Sequence, residues 1–152
     1  MLLLPDLISF SNAFVSLRTN IENNITVASE DEAVAQYKEV INAGNNCTML
    51  TLIPTHDANA EDEDNAEMRN NLTFYILKKT DSKSGYQQKL DNFALTQIEI
   101  LELSKYIKSL VQNFGVNCLF KDIDLSTIQI TPINNYLGAN GYVIDFTTET
   151  KF

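Results

Sequence analysis

From about residue 86 to 114, apolar side chains recur every three or four positions. Leu90, Phe93, Ile100, Leu101, Ile107, Leu110, Val111 and Phe114 step along one face with Gln97 and Ser104 between them. Asp91, Asn92, Glu99, Glu102, Lys105, Ser109 and Gln112 fall on the other. This period describes one amphipathic helix, with Gly115 as its stop. Such a helix is about 40 Å long at a rise of 1.5 Å per residue, so it has to lie across a sheet or a bundle to hide its stripe. Leu95, Ile98 and Leu103 widen the stripe beyond what one sheet contact needs. Either the helix is covered on two sides, or part of it awaits a partner.

The segments around it supply the sheet. "CTMLTLIP" reads as a strand over 47–53 with apolar residues on both alternating faces, placing it centrally or under cover on both sides. Pro54 ends it, and "LTFYILKK" gives a second strand over 72–79. After the long helix, strands over 126–131 and 141–148 alternate cleanly. Ile128 and Ile130 oppose Thr127, Gln129 and Thr131; Tyr142, Ile144 and Phe146 oppose Val143, Asp145 and Thr147. The connection from Pro132 to Asn140 exceeds the two residues of a tight hairpin. It reads either as a contact arm or as a tolerated surface loop.

Two helices precede the first strand. Leu7, Phe10, Phe14, Leu17 and Ile21 predict a helix over 5–25. Ser29 with Glu32 forms a capping-box signature for a second over 30–43, with Ala33, Val34, Tyr37, Val40 and Ile41 as its stripe and Gly44 as its stop. The order α-α-β-β-α-β-β predicts an α+β fold. It has a four-stranded, mostly antiparallel sheet, the long helix packed on one face and two N-terminal helices, in a single domain over 1–152.

Composition narrows the function. Lys and Arg total 11 against 20 acidic residues, a net charge of −9. Sequence-specific nucleic-acid binding needs the opposite balance, as does docking on an anionic membrane. Cys47 and Cys118 form no CxxC pattern; they read as two buried thiols in a reducing compartment, with a single disulfide as the alternative. "MLLLPDLISF" lacks a basic n-region and is broken by Pro5 and Asp6. The expectation is a soluble protein made in the cytoplasm, in which the Asn-X-Ser/Thr sequons at Asn24, Asn46 and Asn71 carry no weight.

Catalytic patterns are sparse. His56 is the one histidine, and no GxSxG, HExxH or P-loop motif occurs. The acidic stretch over 55–70 reads as a long polar loop. Asp57, Asn59, Glu61 and Glu63 alternate as EF-hand oxygen ligands do, but Asp62 stands where glycine is required and Met68 where glutamate is. The expectation is a solvated charge run with no metal. An enzyme would need at least two of His56, Asp122, Asp124 and Asp145 to converge. The sequence points instead to a non-enzyme with no catalytic residues and no cofactor.

One resemblance adds to this reading. The closing "IQITPINNYLGANGYVIDFTT" has a strand ending in Thr-Pro, an Asn-rich loop, then Gly141-Tyr142-Val143-Ile144-Asp145-Phe146. In this it resembles the C-terminal hairpin of small neck and tail-completion proteins (tail terminators and head-tail connectors) of tailed bacteriophages, over roughly the last third of the chain. The resemblance implies a structural virion protein, made in the host cytoplasm and assembled as an oligomeric ring at the head-tail interface or tail terminus. Its partners would be further copies of itself and neighbouring virion proteins, with DNA passing through without specific binding. Subunit-contact or lumen-facing positions would be Asp57, Glu61, Asp62, Glu63, Asp64 and Glu67 in the acidic loop, and Asn134, Asn135 and Tyr136 in the last one. The alternative is a non-enzymatic cytoplasmic adaptor or inhibitor that binds one protein through the helix stripe.

Overall fold

A computed structural model describes residues 2–41, 46–60, 66–81, 83, 85–112, 120 and 123–151. Along the chain lie α1 (Leu4–Ser16), β1 (Ile21–Val27), α2 (Glu30–Ile41), β2 (Cys47–Leu52), β3 (Thr55–Ala60), β4 (Ala66–Lys79), α3 (Tyr86–Gln112), β5 (Ile123–Tyr136) and β6 (Ala139–Lys151). The α+β class, the long helix and the two N-terminal helices stand. The sheet has six strands among the described residues, not four, in the order β1-β2-β4-β6-β5 with β3 also paired to β4.

Both extra strands form from segments whose local pattern points to helix or loop. The expected helix over 5–25 is α1 followed by β1. Helix α1 starts with proline in its first turn, as fits a position whose N–H has no helical partner. It stops at Leu17, which is solvent-exposed rather than in the core. Ile21 continues the helical spacing of Phe14, but Ile25 and Val27 after it alternate as a strand. Those three are buried, and β-branched residues favour a pleated surface. The expected loop over 55–70 is largely the β3–β4 hairpin, paired from Thr55↔Asn71 to Ala60↔Ala66. Alternation is hidden there because the inward face is polar too: Asn70 is buried and His56 half-buried, while Asp57 and Ala58 are exposed. Gly44, Phe114, Gly115, Cys118 and Asp122 lie outside the described residues.

β1 and β2 run parallel, joined by α2; the other pairings are antiparallel. β2 pairs with the C-terminal half of β4 (Thr48↔Leu77 to Thr51↔Phe74) and β3 with its N-terminal half. The two therefore share one edge, interrupted at Ile53 and Pro54. The expected capping box is present at the start of α2. Ser29 Oγ accepts the Glu32 N–H at 3.2 Å, and the Glu32 carboxylate reaches back to the Ala28 N–H at 2.7 Å.

The sheet is covered on both faces. On one, α1 and α3 pack over Met49, Leu72, Phe74, Ile76, Ile144 and Phe146, with Phe120 wedged among the rings. On the other, Ala33 and Tyr37 of α2 cover Ile25, Val27, Leu50, Tyr75 and Leu77. β2 is thus buried on both sides, as its double-apolar pattern required.

The buried face of α3 is rotated from the one its apolar residues predict. Leu90 and Leu101, expected in the stripe, are exposed, while Asn92, Thr96, Glu99 and Leu103 are buried. The polar members are tolerated because each is satisfied. Asn92 Nδ2 donates to the Lys79 carbonyl at 3.2 Å, and the Thr96 hydroxyl to the Asn92 carbonyl at 2.8 Å. Buried polar groups cost little when so paired.

Candidate functional site

Glu99 anchors the helical layer. Its carboxylate is fully buried and accepts Arg18 Nε at 2.7 Å, Arg18 Nη2 at 3.2 Å and Asn20 Nδ2 at 2.9 Å. A second carboxylate, Glu102, lies 3.6 Å from Arg18 Nη1. The hydrogen bond to Glu99 raises the Arg18 guanidinium pKa above its ordinary value. This bidentate pair ties the turn after α1 to the middle of α3. Phe10 and Phe14 complete the contact, stacked or tilted on Tyr106 at 5.6 and 5.5 Å.

With α1 and α3 locked together, each helix turns its opposite flank to solvent. On α3, Tyr86, Leu90, Ile98 and Leu101 are 76%, 42%, 55% and 47% exposed. Leu90 and Leu101 lie about half a turn around the helix from Glu99, hence away from α1 and toward β5. At the N-terminal end this flank joins a shallow groove of about 330 Å³ lined by Tyr86, Lys89, Leu90, Phe93, Pro132 and Asn134. On α1, Leu4 and Ile8 are exposed. They share a flank with Ser11, which bonds Thr51 of β2 at 3.0 Å, and Asn12, which bonds Asn24 of β1 at 2.9 Å. The sequence flagged a surplus of apolar residues on α3. The α1 patch is not separable in the sequence, because Leu4 and Ile8 stand at helical spacing from the buried Leu7 and Phe10.

The expected contact positions divide. Asp57 is exposed on β3, and its carboxylate accepts Asn71 Nδ2 at 3.0 Å. Glu67 lies on β4 between Asn59 and Lys151 of its neighbouring strands. Both occupy a hairpin rather than a loop, and Glu61, Asp62, Glu63 and Asp64 lie outside the described residues.

The expected loop from Pro132 to Asn140 is corrected to strand. β5 runs to Tyr136 and β6 begins at Ala139, leaving a turn of Leu137 and Gly138, both at positive φ (54° and 77°). That is the geometry that matches strand twist in a tight hairpin. Asn135, also at positive φ, donates its N–H to Asn140 Oδ1 at 2.8 Å. Tyr136 does not project as an arm; it stacks on Tyr75 with ring centroids 5.2 Å apart. Asn134 alone of the three faces the groove.

Among the described members of the enzyme constellation, His56 stands on one face of the sheet and Asp124 and Asp145 on the other. His56 lies on the face that carries α1, where its Nδ1 meets Asn70 Oδ1 at 2.8 Å. That oxygen also accepts the Leu2 N–H at 3.2 Å; being an acceptor, it places the imidazole proton on Nδ1. Asp145 and Asp124 belong to the opposite face. The Asp145 carboxylate accepts the Thr73 hydroxyl at 2.7 Å. The Asp124 carboxylate accepts the Ser126 hydroxyl and N–H at 2.6 and 2.9 Å, which lowers its pKa below the usual range. Among the described residues, no three His, Cys, Asp or Glu side chains gather as metal ligands. No described helix is long and apolar enough to cross a membrane. No protein-family model and no curated protein sequence matches the chain, so its classification rests on its own residues and geometry.

Proposed function

We propose that this chain is a structural virion protein of a tailed bacteriophage, forming an oligomeric ring at the head-tail interface or the tail terminus. The observation that carries the reading is the exposed apolar flank of α3 with its adjoining groove, on a folded unit with net charge −9. Large apolar side chains aligned on one flank mark a surface made for another protein. The resemblance of the β5–β6 hairpin supplies the biological setting. The surplus of 20 acidic over 11 basic residues gives the chain a negative field that repels phosphates, which suits a ring through which DNA passes without sticking.

The test is light scattering on the purified protein together with negative-stain microscopy, alone and with phage tail tubes. Rings of defined subunit number, seated on tube ends, are expected. A monomer at all concentrations that neither oligomerises nor binds tubes refutes the proposal. The same flank then serves a single protein partner, as in an adaptor or inhibitor.

A further inference from the structure

We propose that Asn140-Gly141 is a deamidation site, which the folded sheet holds closed and which opens whenever β6 leaves its place. The modification is spontaneous and needs only water. The Gly141 amide nitrogen, having lost its proton to solvent base, attacks Cγ of Asn140. A nitrogen–carbon bond forms, the side-chain nitrogen leaves as ammonia, and a five-membered succinimide remains. Water then opens that ring to aspartate or, with the main chain rerouted through the side chain, to isoaspartate. Glycine after asparagine makes the step fast, because no Cβ shields the nitrogen and the backbone turns freely. This is the only Asn-Gly pair in the sequence.

The fold requires both members of this labile pair. Gly141 lies opposite Leu77 of β4 and Ile133 of β5, and a Cβ there would run into the Ile76 carbonyl oxygen. Asn140 ties three segments together. Its Oδ1 accepts the Asn135 N–H at 2.8 Å, and its Nδ2 donates to the Thr80 hydroxyl at 2.7 Å. The same contacts block the reaction. Asn140 is 2% exposed, which keeps base and water away. Its amide is held at both ends, so the carbonyl carbon cannot swing toward the next nitrogen. Pairing on both sides of Gly141 directs its N–H into the plane of the sheet and forbids the peptide turn that attack needs. All three barriers depend on β6 lying between β4 and β5, and they vanish together when it is released. Neither product fits the site it came from. Aspartate loses the donor to Thr80 and places a charge in a buried position. Isoaspartate lengthens the main chain by one carbon between Ala139 and Gly141, which throws the following residues out of register with both neighbours. The pair therefore marks, permanently, any chain whose β6 has been out of the sheet.

The test incubates the full-length chain at mildly alkaline pH, both native and unfolded in guanidinium chloride. Peptide mass mapping follows Asn140, and enzymatic methylation detects isoaspartate. In the unfolded chain Asn140 should convert ahead of every other asparagine, and Asn140→Ser should abolish that signal. In the native chain conversion should be slower by about 10³-fold or more, the reciprocal of the unfolded population. Denaturant added below the unfolding transition should speed it in step with that population. A native rate within about tenfold of the unfolded rate, or one that ignores denaturant, overturns the gate. So does an unfolded chain in which other asparagines convert first. On removal of denaturant, unmodified chains should recover the native near-UV spectrum while the isoaspartate-bearing fraction stays unfolded. Isoaspartate chains that regain that spectrum show that the mark does not exclude β6 from the sheet, and this part of the proposal falls.

Discussion

The Arg18–Glu99 pair sets the angle between the two exposed flanks, and Glu99→Ala tests it. The substitution removes one buried acceptor that takes three hydrogen bonds. Breaking a buried ion pair by deleting one partner costs about 3–5 kcal/mol, because the other charge stays behind unpaired. Here the orphan is Arg18, whose side chain keeps 24% of its exposure and has Glu102 within 3.6 Å. The cost therefore falls at the lower end, about 3 kcal/mol. With a urea m-value of about 2 kcal/mol per molar, that moves the unfolding midpoint down by about 1.5 M at unchanged slope. Arg18→Met in the parent chain should cost at least as much, since its orphan is a fully buried carboxylate left with Asn20 alone. The double variant Arg18→Met/Glu99→Ala should be less destabilised than the sum of its singles, giving a coupling energy of about 2 kcal/mol. A Glu99→Ala loss under about 1 kcal/mol, or strict additivity in the double variant, refutes the clamp.

Two glycines of the last hairpin should respond differently. A methyl group on Gly141 runs into the Ile76 carbonyl oxygen across the β4–β6 pair, whereas one on Gly138 meets nothing and costs only its positive φ. Thermal melts should show Gly138→Ala losing about 1 kcal/mol and Gly141→Ala losing more, with a rearranged near-UV spectrum. Burial pushes the Cys47 thiol up to about 11. In a Cys118→Ser background, native protein should resist a thiol reagent at neutral pH and react fully once denatured. The unfolded thiol ionises near its ordinary 9.0 while the folded one stays protonated. Stability should therefore decline from there toward pH 11, and Cys47→Ala should flatten that slope. Ser29→Ala removes the α2 cap and should lower the unfolding free energy by about 1 kcal/mol, read by urea titration.

The residues that spelled out the fold correctly were those whose neighbours in sequence share their environment. The C-terminal hairpin alternates over Tyr142–Thr147 because one face lies under α3, while on the other Asp145 and Thr147 run past the second core and stay half-exposed. α2 announces itself through Ser29 and Glu32, which bond within a single turn. The errors arose where a partner distant in sequence decides. Glu99 looks like a surface residue until Arg18 arrives, 81 positions earlier in the chain. Asn70 reads as loop, yet it is buried and bonded to Thr148. Ile21 fits a helical step and a strand step equally well, and pairing with β2 selects the second. The groove was equally hidden, because Pro132 and Asn134 meet Tyr86 and Phe93 only after β5 has crossed the sheet.

The placement of β6 bears on how the chain reaches its folded state. This strand, last among those described, sits inside the sheet, between β4 and β5. Thr73 finds Asp145 72 residues away and Asn70 finds Thr148 78 residues away. Closing such long loops must be paid in chain entropy before the ladder returns anything. β4 therefore waits on the ribosome with one long edge unpaired, and with Phe74 and Tyr75 lacking their ring partners Phe146 and Tyr136, until β5 and β6 have emerged. The vulnerable interval is the one before β6 docks, and a slowed β6 should show itself as aggregation during synthesis rather than as a less stable final product.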